Sequence, residues 1–357
     1  MSLPPDPNGI VLHVWPRQNW NLPSLDAPSV AAVLYLQLAI PHLFTVEECI
    51  DPTLSPSGQL PFLTHEHRAV ASFPSIVKYV STLDVEGTDV DLDAPLGAAE
   101  RAQRTAWAAH IESNLGDLVA HTFYSLPENW VQLTQPALAG ALPLPQKYYV
   151  PDRIRDSHRV RLNAAGLWNQ PGIEVKAEER KPPFAEQKKD DPDVKDVFKR
   201  VFEREKILTK GRSYLDKYAR LLGDKLYFLH ERPTTLDIVL AAHILALTRP
   251  PFPDPLLKSL VVESYPSLVA HAERVYSSAN QAPLKTRPPP TPSIFPWLSA
   301  RRSGPKVEKI AEDVQSDGTR WGWIALVVAA MGAFIITSGV EVSSVAQEET
   351  ATDENEA

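Results

Sequence analysis

Cysteine is almost missing: Cys49 is the only one in 357 residues. With no second thiol the chain cannot close an internal disulfide, and paired-cysteine zinc spacings are excluded. Such usage suits a reducing compartment such as the cytosol. Glycine is sparse too, at 15 residues, and forms neither a phosphate-cradling loop nor a nucleophile elbow. No basic stripe with interleaved aromatics occurs, which argues against a nucleic-acid partner. The opening stretch MSLPPDPNGIVLHVW lacks both a charged-then-apolar signal and an Arg-rich presequence. Residues 341–357 contain no Lys or Arg but six of the 44 acidic residues. The other 38 nearly balance 36 basic residues, so most of the net charge of -8 belongs to this acidic tail.

Proline is abundant, at 34 residues, nearly twice the usual ~5% share. It predicts stiff connections and sharply bounded helices. Hydrophobic content of 43% and charge of 22% describe a folded chain long enough for two domains.

The longest uncharged apolar run is Trp321 to Val340, WGWIALVVAAMGAFIITSGV. As a helix it would be ~30 Å long, the thickness of a bilayer's hydrocarbon core. Trp321 and Trp323 stand at one end, where indoles favour the interface. Ala325, Ala329 and Ala333 share a face and would admit a neighbouring helix or barrel wall, although alanine is common in anchors generally. Arg301, Arg302, Lys306, Lys309 and Arg320 precede the span, so the expectation is a C-terminal transmembrane anchor with the body facing the cytosol.

Ahead of the anchor, Ile10 to Trp15 reads as a strand and LPSLDAPSVAAVLYLQLA as a helix with Asp26 near its cap. Leu43 to Ile50 reads as a second strand. SPSGQLPFLTHEHRAVASFPSIVKYV then gives a hairpin with a polar tip and a helix beginning near Pro74. Strand, helix, strand, hairpin, helix is a thioredoxin-like order. From Leu96 onward the texture is helical. Residues 174–196 form an insert with eight acidic and six basic side chains, read as a surface loop or solvated helix. A long amphipathic helix follows, with Val194, Val197, Phe198, Val201, Phe202, Leu208, Leu215, Tyr218 and Leu222 on a stripe that suits burial. PTTLDIVLAAHILAL is a capped helix in which Thr234 and Asp237 bond reciprocally. YPSLVAHAERVY is the last helix, and the Pro-rich, basic residues 282–320 form a semi-rigid linker.

A thioredoxin-like unit ahead of an all-helical one resembles the glutathione transferases. Gly58-Gln-Leu-Pro61 resembles that family's turn into a cis-proline, Thr234-x-x-Asp237 its helix cap, and Tyr265-Pro266-x-Leu268 its closing helix. QNWNLPSLD (18–26), SPSGQLPFL (55–63), VAHTFYSLPENWVQLTQPALAGALPLP (119–145) and TLDIVLAAHILAL (235–247), with the terminal span, resemble the metaxin family more specifically. The resemblance implies a glutathione-transferase-like fold. It comprises a thioredoxin-like domain over 1–90, a helical domain over 91–281, the linker over 282–320, the anchor over 321–340 and the acidic tail.

It also implies a non-enzymatic subunit of the sorting and assembly machinery of the mitochondrial outer membrane. Its partners would be the β-barrel insertase, a second transferase-like subunit, the general entry complex, β-barrel precursors and the bilayer. The alternatives are a membrane-tethered glutathione-dependent transferase and a tethered adaptor for other outer-membrane processes. Glutathione enzymes place an acidic residue and a serine where this chain has Ser72 and Phe73. The ligand's amine then has no carboxylate, and a phenyl ring is expected in the pocket of its carboxylate. Ser24 is the nearest candidate for a thiol-activating hydroxyl, yet a helix-start serine needs no catalytic role. No catalytic, cofactor-binding or metal site is expected.

His65-Glu66-His67 has the alternation of a chelating pair on a strand but no third ligand in register. Cys49 reads as a buried apolar residue. Trp15, Trp20, Pro23, Trp130, Tyr148 and Tyr149 supply aromatic bulk of the kind found at interfaces, or else in a core.

Overall fold

The structure, a computed structural model, describes residues 9–83, 90–168 and 194–287. These fall within one compact unit, Met1–Thr291. The anchor residues, the acidic tail, the linker from 288 and all but the last three residues of the charged insert lie outside them. Among the described residues no helix is long and apolar enough to cross a membrane.

Five strands form one sheet: β1 (Ile10–Val14), β2 (Phe44–Glu48), β3 (Phe62–His65), β4 (Arg68–Ala71) and β5 (Thr286–Arg287), in the order β4-β3-β1-β2-β5. β1 and β2 run parallel, with Ile10 opposite Phe44 and Val14 opposite Glu48. β3 returns antiparallel to β1 and forms the hairpin with β4. Leu12, Val14, Phe44, Val46 and Leu63 alternate inward and begin the core.

The parallel pair requires a crossover, which is α1 (Ala27–Ala39). Its sequence, APSVAAVLYLQLA, has no polar stripe, and every residue but Pro28 and Leu38 is buried. A helix apolar all round must be covered on both sides. The sheet covers one side and helix Thr235–Thr248 the other, itself buried at every position but the last.

The hairpin feeds α2 (Phe73–Val80), and helices follow from α3 (Ala98–His110). Between Ile111 and Ala141 the chain alternates short α segments, α4 (Gly116–Ala120), α5 (Pro127–Asn129) and α6 (Gln135–Ala141), with wide π turns at Ile111–Leu115, His121–Ser125 and Trp130–Thr134. Wide turns and Pro127 leave carbonyls without helical donors, and side chains collect them. Asn129 Nδ2 donates to Thr122 O at 3.0 Å, and Thr134 Oγ1 to Phe123 O at 2.8 Å. Then come α7 (Val150–Ala164), α8 (Val194–Leu222), α9 (Thr235–Thr248), α10 (Leu256–Ser264) and α11 (Pro266–Ala279).

Two expectations need correction. The linker does not begin at 282, because residues 286–287 add the edge strand β5 beside β2. Val201 and Phe202, expected on the buried stripe of α8, are instead exposed.

Candidate functional site: the cleft beside the cis-proline

The Leu60–Pro61 bond is cis, and Gly58 two residues earlier has φ 68, a conformation for which glycine has no steric penalty. Pro61 O accepts from Ser72 N at 3.3 Å, which brings the start of α2 against the turn. Ser72 has φ 74 and ψ 145, far from the usual region for a residue with a Cβ. Its exposed hydroxyl donates to Ser75 Oγ at 3.1 Å.

Phe73 departs from expectation. Its ring turns inward and meets Tyr35 edge-on, centroids 6.1 Å apart, instead of filling a surface pocket. An apolar ring at the first turn of a short helix gains more from the core than from the cleft. Pro74, next along, has no N–H to offer an anion.

The loop before α1 is the other wall. Ser24 is wholly buried, and its hydroxyl lies 2.9 Å from Trp15 O and 3.2 Å from Asp26 Oδ1, both acceptors. The hydroxyl is committed to holding the loop and is closed to a ligand. The loop is also fastened from outside: Arg249 Nη1 and Tyr276 Oη both donate to Asn21 O, and Gln18 Nε2 donates to Ala137 O at 3.3 Å. Asp26 caps α1 by accepting from Ser29 N. Burial raises its pKa to about 6 against the opposing hydrogen bonds from Ser29 and Ser24.

The polar tip is not a chelating strand. β3 ends at His65, β4 begins at Arg68, and Glu66 between them has φ 53. His65 and His67 therefore do not share a strand face, and His65 Nδ1 pairs with Tyr79 Oη at 2.7 Å. The Cys49 thiol is buried, lies 3.3 Å from Asp51 O, and has its pKa pushed up by burial.

The six aromatic and proline candidates separate. Trp130 is buried, with the Arg155 guanidinium 5.2 Å from its ring centre, so it belongs to the interior and not to an interface. Trp15, Trp20 and Pro23 are half-buried around the loop, with Trp20 tilted on Phe123 at 6.0 Å. Tyr148 and Tyr149 stand out from the surface at 71% and 52% exposure.

Thr234 and Asp237 form the expected capping box at the start of α9. Asp237 Oδ2 accepts from Thr234 N at 2.9 Å and from its hydroxyl at 2.6 Å. The other oxygen, Oδ1, accepts from Phe228 N at 2.9 Å and from His271 Nε2 at 2.8 Å. That second pair was hidden in the sequence, because His271 lies 34 positions away on α11. A parallel arrangement joins the segment after α2 to α9: buried Asp93 accepts from Thr235 N at 3.1 Å and Oγ1 at 2.6 Å. Arg104 Nε stands 3.4 Å from the same carboxylate.

Comparison with known proteins gives two family models in succession. Residues 29–155 match that of the outer mitochondrial membrane transport complex proteins, and residues 211–275 that of the glutathione S-transferase C-terminal domain. Metaxin-1 of Macaca fascicularis is 24% identical over 325 residues, covering 90% of this chain and 88% of its own. A metaxin-1 homolog of Caenorhabditis briggsae is 26% identical over 267 residues, covering 74% and 72%. Along most of its length the chain is similar to metaxins.

Metaxin-3 of Xenopus laevis is also similar, at 26% identity over 63% of this chain and 62% of its own. Among solved structures, a glutathione S-transferase of Ceriporiopsis subvermispora in complex with glutathione aligns with a TM-score of 0.48 at 17% identity, covering 77% of this chain and 99% of that one. The sheet order, the helices that follow it and the match over residues 211–275 together fit a glutathione-transferase-like fold.

Proposed function

We propose that this chain is a non-enzymatic subunit of the sorting and assembly machinery of the mitochondrial outer membrane. It caps the β-barrel insertase on the cytosolic side and aids import, insertion and release of β-barrel precursors. In this reading a thioredoxin-like domain over 1–90 and a helical domain over 91–281 form the cap. Trp321 to Val340 anchors it, and the linker holds it at high local concentration beside its partners.

The likeness to metaxins supports the machinery, and the cleft supports the absence of catalysis. The observation that carries the second part is Ser24, whose hydroxyl is buried and bonded inside the loop. Ser72 provides no carboxylate for a ligand's amine, and Pro74 removes an amide from the helix start. Ser72 and Phe73 are accordingly the relic of a ligand site, with Gly58 and Pro61 kept as architecture. Trp15, Trp20, Pro23, Tyr148 and Tyr149 remain as contact-surface residues, Tyr148 and Tyr149 being the most accessible.

Co-purification from gently solubilised outer membranes tests the partner, with the insertase and a second transferase-like subunit expected in stoichiometric amounts. A chain that migrates alone would refute it. Calorimetric titration with millimolar reduced glutathione tests the cleft: no saturable heat is expected, and Ser24→Ala should leave the trace unchanged.

A further inference from the structure

β5 is an unusual way to finish a sheet. It contributes two residues, Thr286 and Arg287, both exposed, and pairs parallel with Val46 and Glu47 of a five-residue β2. Val46 N donates to Lys285 O at 2.8 Å. Beyond this short ladder the attachment is largely polar. Arg287 Nη1 is 3.6 Å from Glu47 Oε2, Lys285 Nζ donates to His42 O at 3.1 Å, and Gln37 Nε2 donates to Ala282 O at 3.4 Å. Leu284 adds apolar contact with the core.

Residues 288–290 are prolines, and proline has no N–H to give the next outward carbonyl of β2. Among the described residues, Phe44, Thr45 and Glu48 have no β5 counterpart in the register. A sheet edge is a template for any extended chain, and proteins cover such edges to prevent pairing. Among the described residues the cover spans Val46 and Glu47, and it is basic, with Lys285 and Arg287, where the edge carries the acidic Glu47.

We propose that the β2 edge is a binding site for an extended basic peptide segment, and that β5 is a self-ligand that occupies it and can be displaced. An incoming strand without proline pairs along all of Phe44–Glu48 and gains ladder bonds that β5 cannot form, while its Lys or Arg replaces Arg287 against Glu47. This is strand addition to the sheet, away from the cis-proline cleft, and it does not depend on the function proposed above.

The test uses the full chain and a fluorescent nonapeptide that repeats residues 282–287, APLKTR, and continues Val-Lys-Val in place of the prolines. Arg287→Pro removes the next donor of β5, and Arg287→Glu, which retains all amides, repels Glu47 and serves as a second displaced form. Either variant should bind the peptide at least tenfold more tightly than the intact chain. Adding Glu47→Lys should weaken that binding at least fivefold. Hydrogen exchange at the Val46 amide should accelerate in both variants and slow again with peptide present. Of two peptides methylated on alternate amides in opposite phase, only one should bind. Equal binding to intact and variant chains, no binding to any of them, or equal binding of the two methylated peptides would overturn the proposal.

Discussion

Ser72 holds a backbone conformation that residues with a Cβ rarely adopt. Its φ of 74 lies where a Cβ is strained, at a cost of ~1–3 kcal/mol. Glycine relieves the strain but loses more entropy on folding, so Ser72→Gly should stabilise the chain by about 1 kcal/mol in urea unfolding. A loss of stability would show that the hydroxyl matters more than the backbone. Asp237 is the opposite case. Its two oxygens accept four bonds in a fully buried site. Asp237→Ala strands those donors and should destabilise the fold by ~3–5 kcal/mol, read by the same experiment; less than ~1 kcal/mol would contradict the network. Asp26 has a pKa raised to about 6 from 3.8, so its contribution falls as pH rises through that window. Asn caps as well and cannot ionise, so Asp26→Asn should stabilise by ~1–2 kcal/mol at a pH of about 7.5 and by nothing near pH 4.

At the scale of elements, α1 and α9 are the pair on which the rest is stacked. Both are apolar all round and rich in alanine, and their backbones approach closely. Ala242→Leu should therefore overpack the contact and lower stability by ~1–3 kcal/mol, whereas the exposed Tyr148→Ala should stay within ~0.5 kcal/mol. These two helices were legible in the sequence because a capping residue ahead of a long run that is apolar on every face specifies a buried helix. So were β1 to β4, whose residues alternate or sit beside Gly and Pro turns. The π turns between Ile111 and Thr134 were not legible, since the carbonyls they leave are collected by Asn129 and Thr134, seven and eleven positions further on. β5 was hidden for a similar reason. A two-residue strand in a proline-rich stretch has no periodicity, and its pairing depends on an edge 240 positions earlier, Thr286 against Val46. At the site, the absence of a carboxylate at position 72 was readable in the sequence. The fates of Ser24, Phe73 and Trp130 were not, because burial of a loop serine or an aromatic ring is decided by distant helices.

At the scale of the whole molecule, buried histidines set the acid limit. His121 and His243 are enclosed, and burial lowers both pKa values to about 4, against hydrogen bonds to Leu167 O and Val239 O that favour the charged form. Each folds neutral, so the stability it supplies is complete above the unfolded value of 6.5 and is lost as pH falls towards 4. That loss is on the order of 3 kcal/mol per histidine. Asp26 opposes it, gaining as pH falls through about 6, so Asp26→Asn should steepen the decline between roughly pH 6.5 and 4. A flat urea midpoint across that range would contradict the assignment.

The same scale carries the functional claim, that a transferase-like body without a working cleft serves as a contact surface in barrel assembly. The most direct test is to deplete the chain and follow newly imported β-barrel precursors on native gels. The account predicts that precursors accumulate before the mature complex and that the wild-type chain and its Ser24→Ala form restore assembly equally. Assembly at the normal rate without the chain, or rescue that requires Ser24, would contradict it.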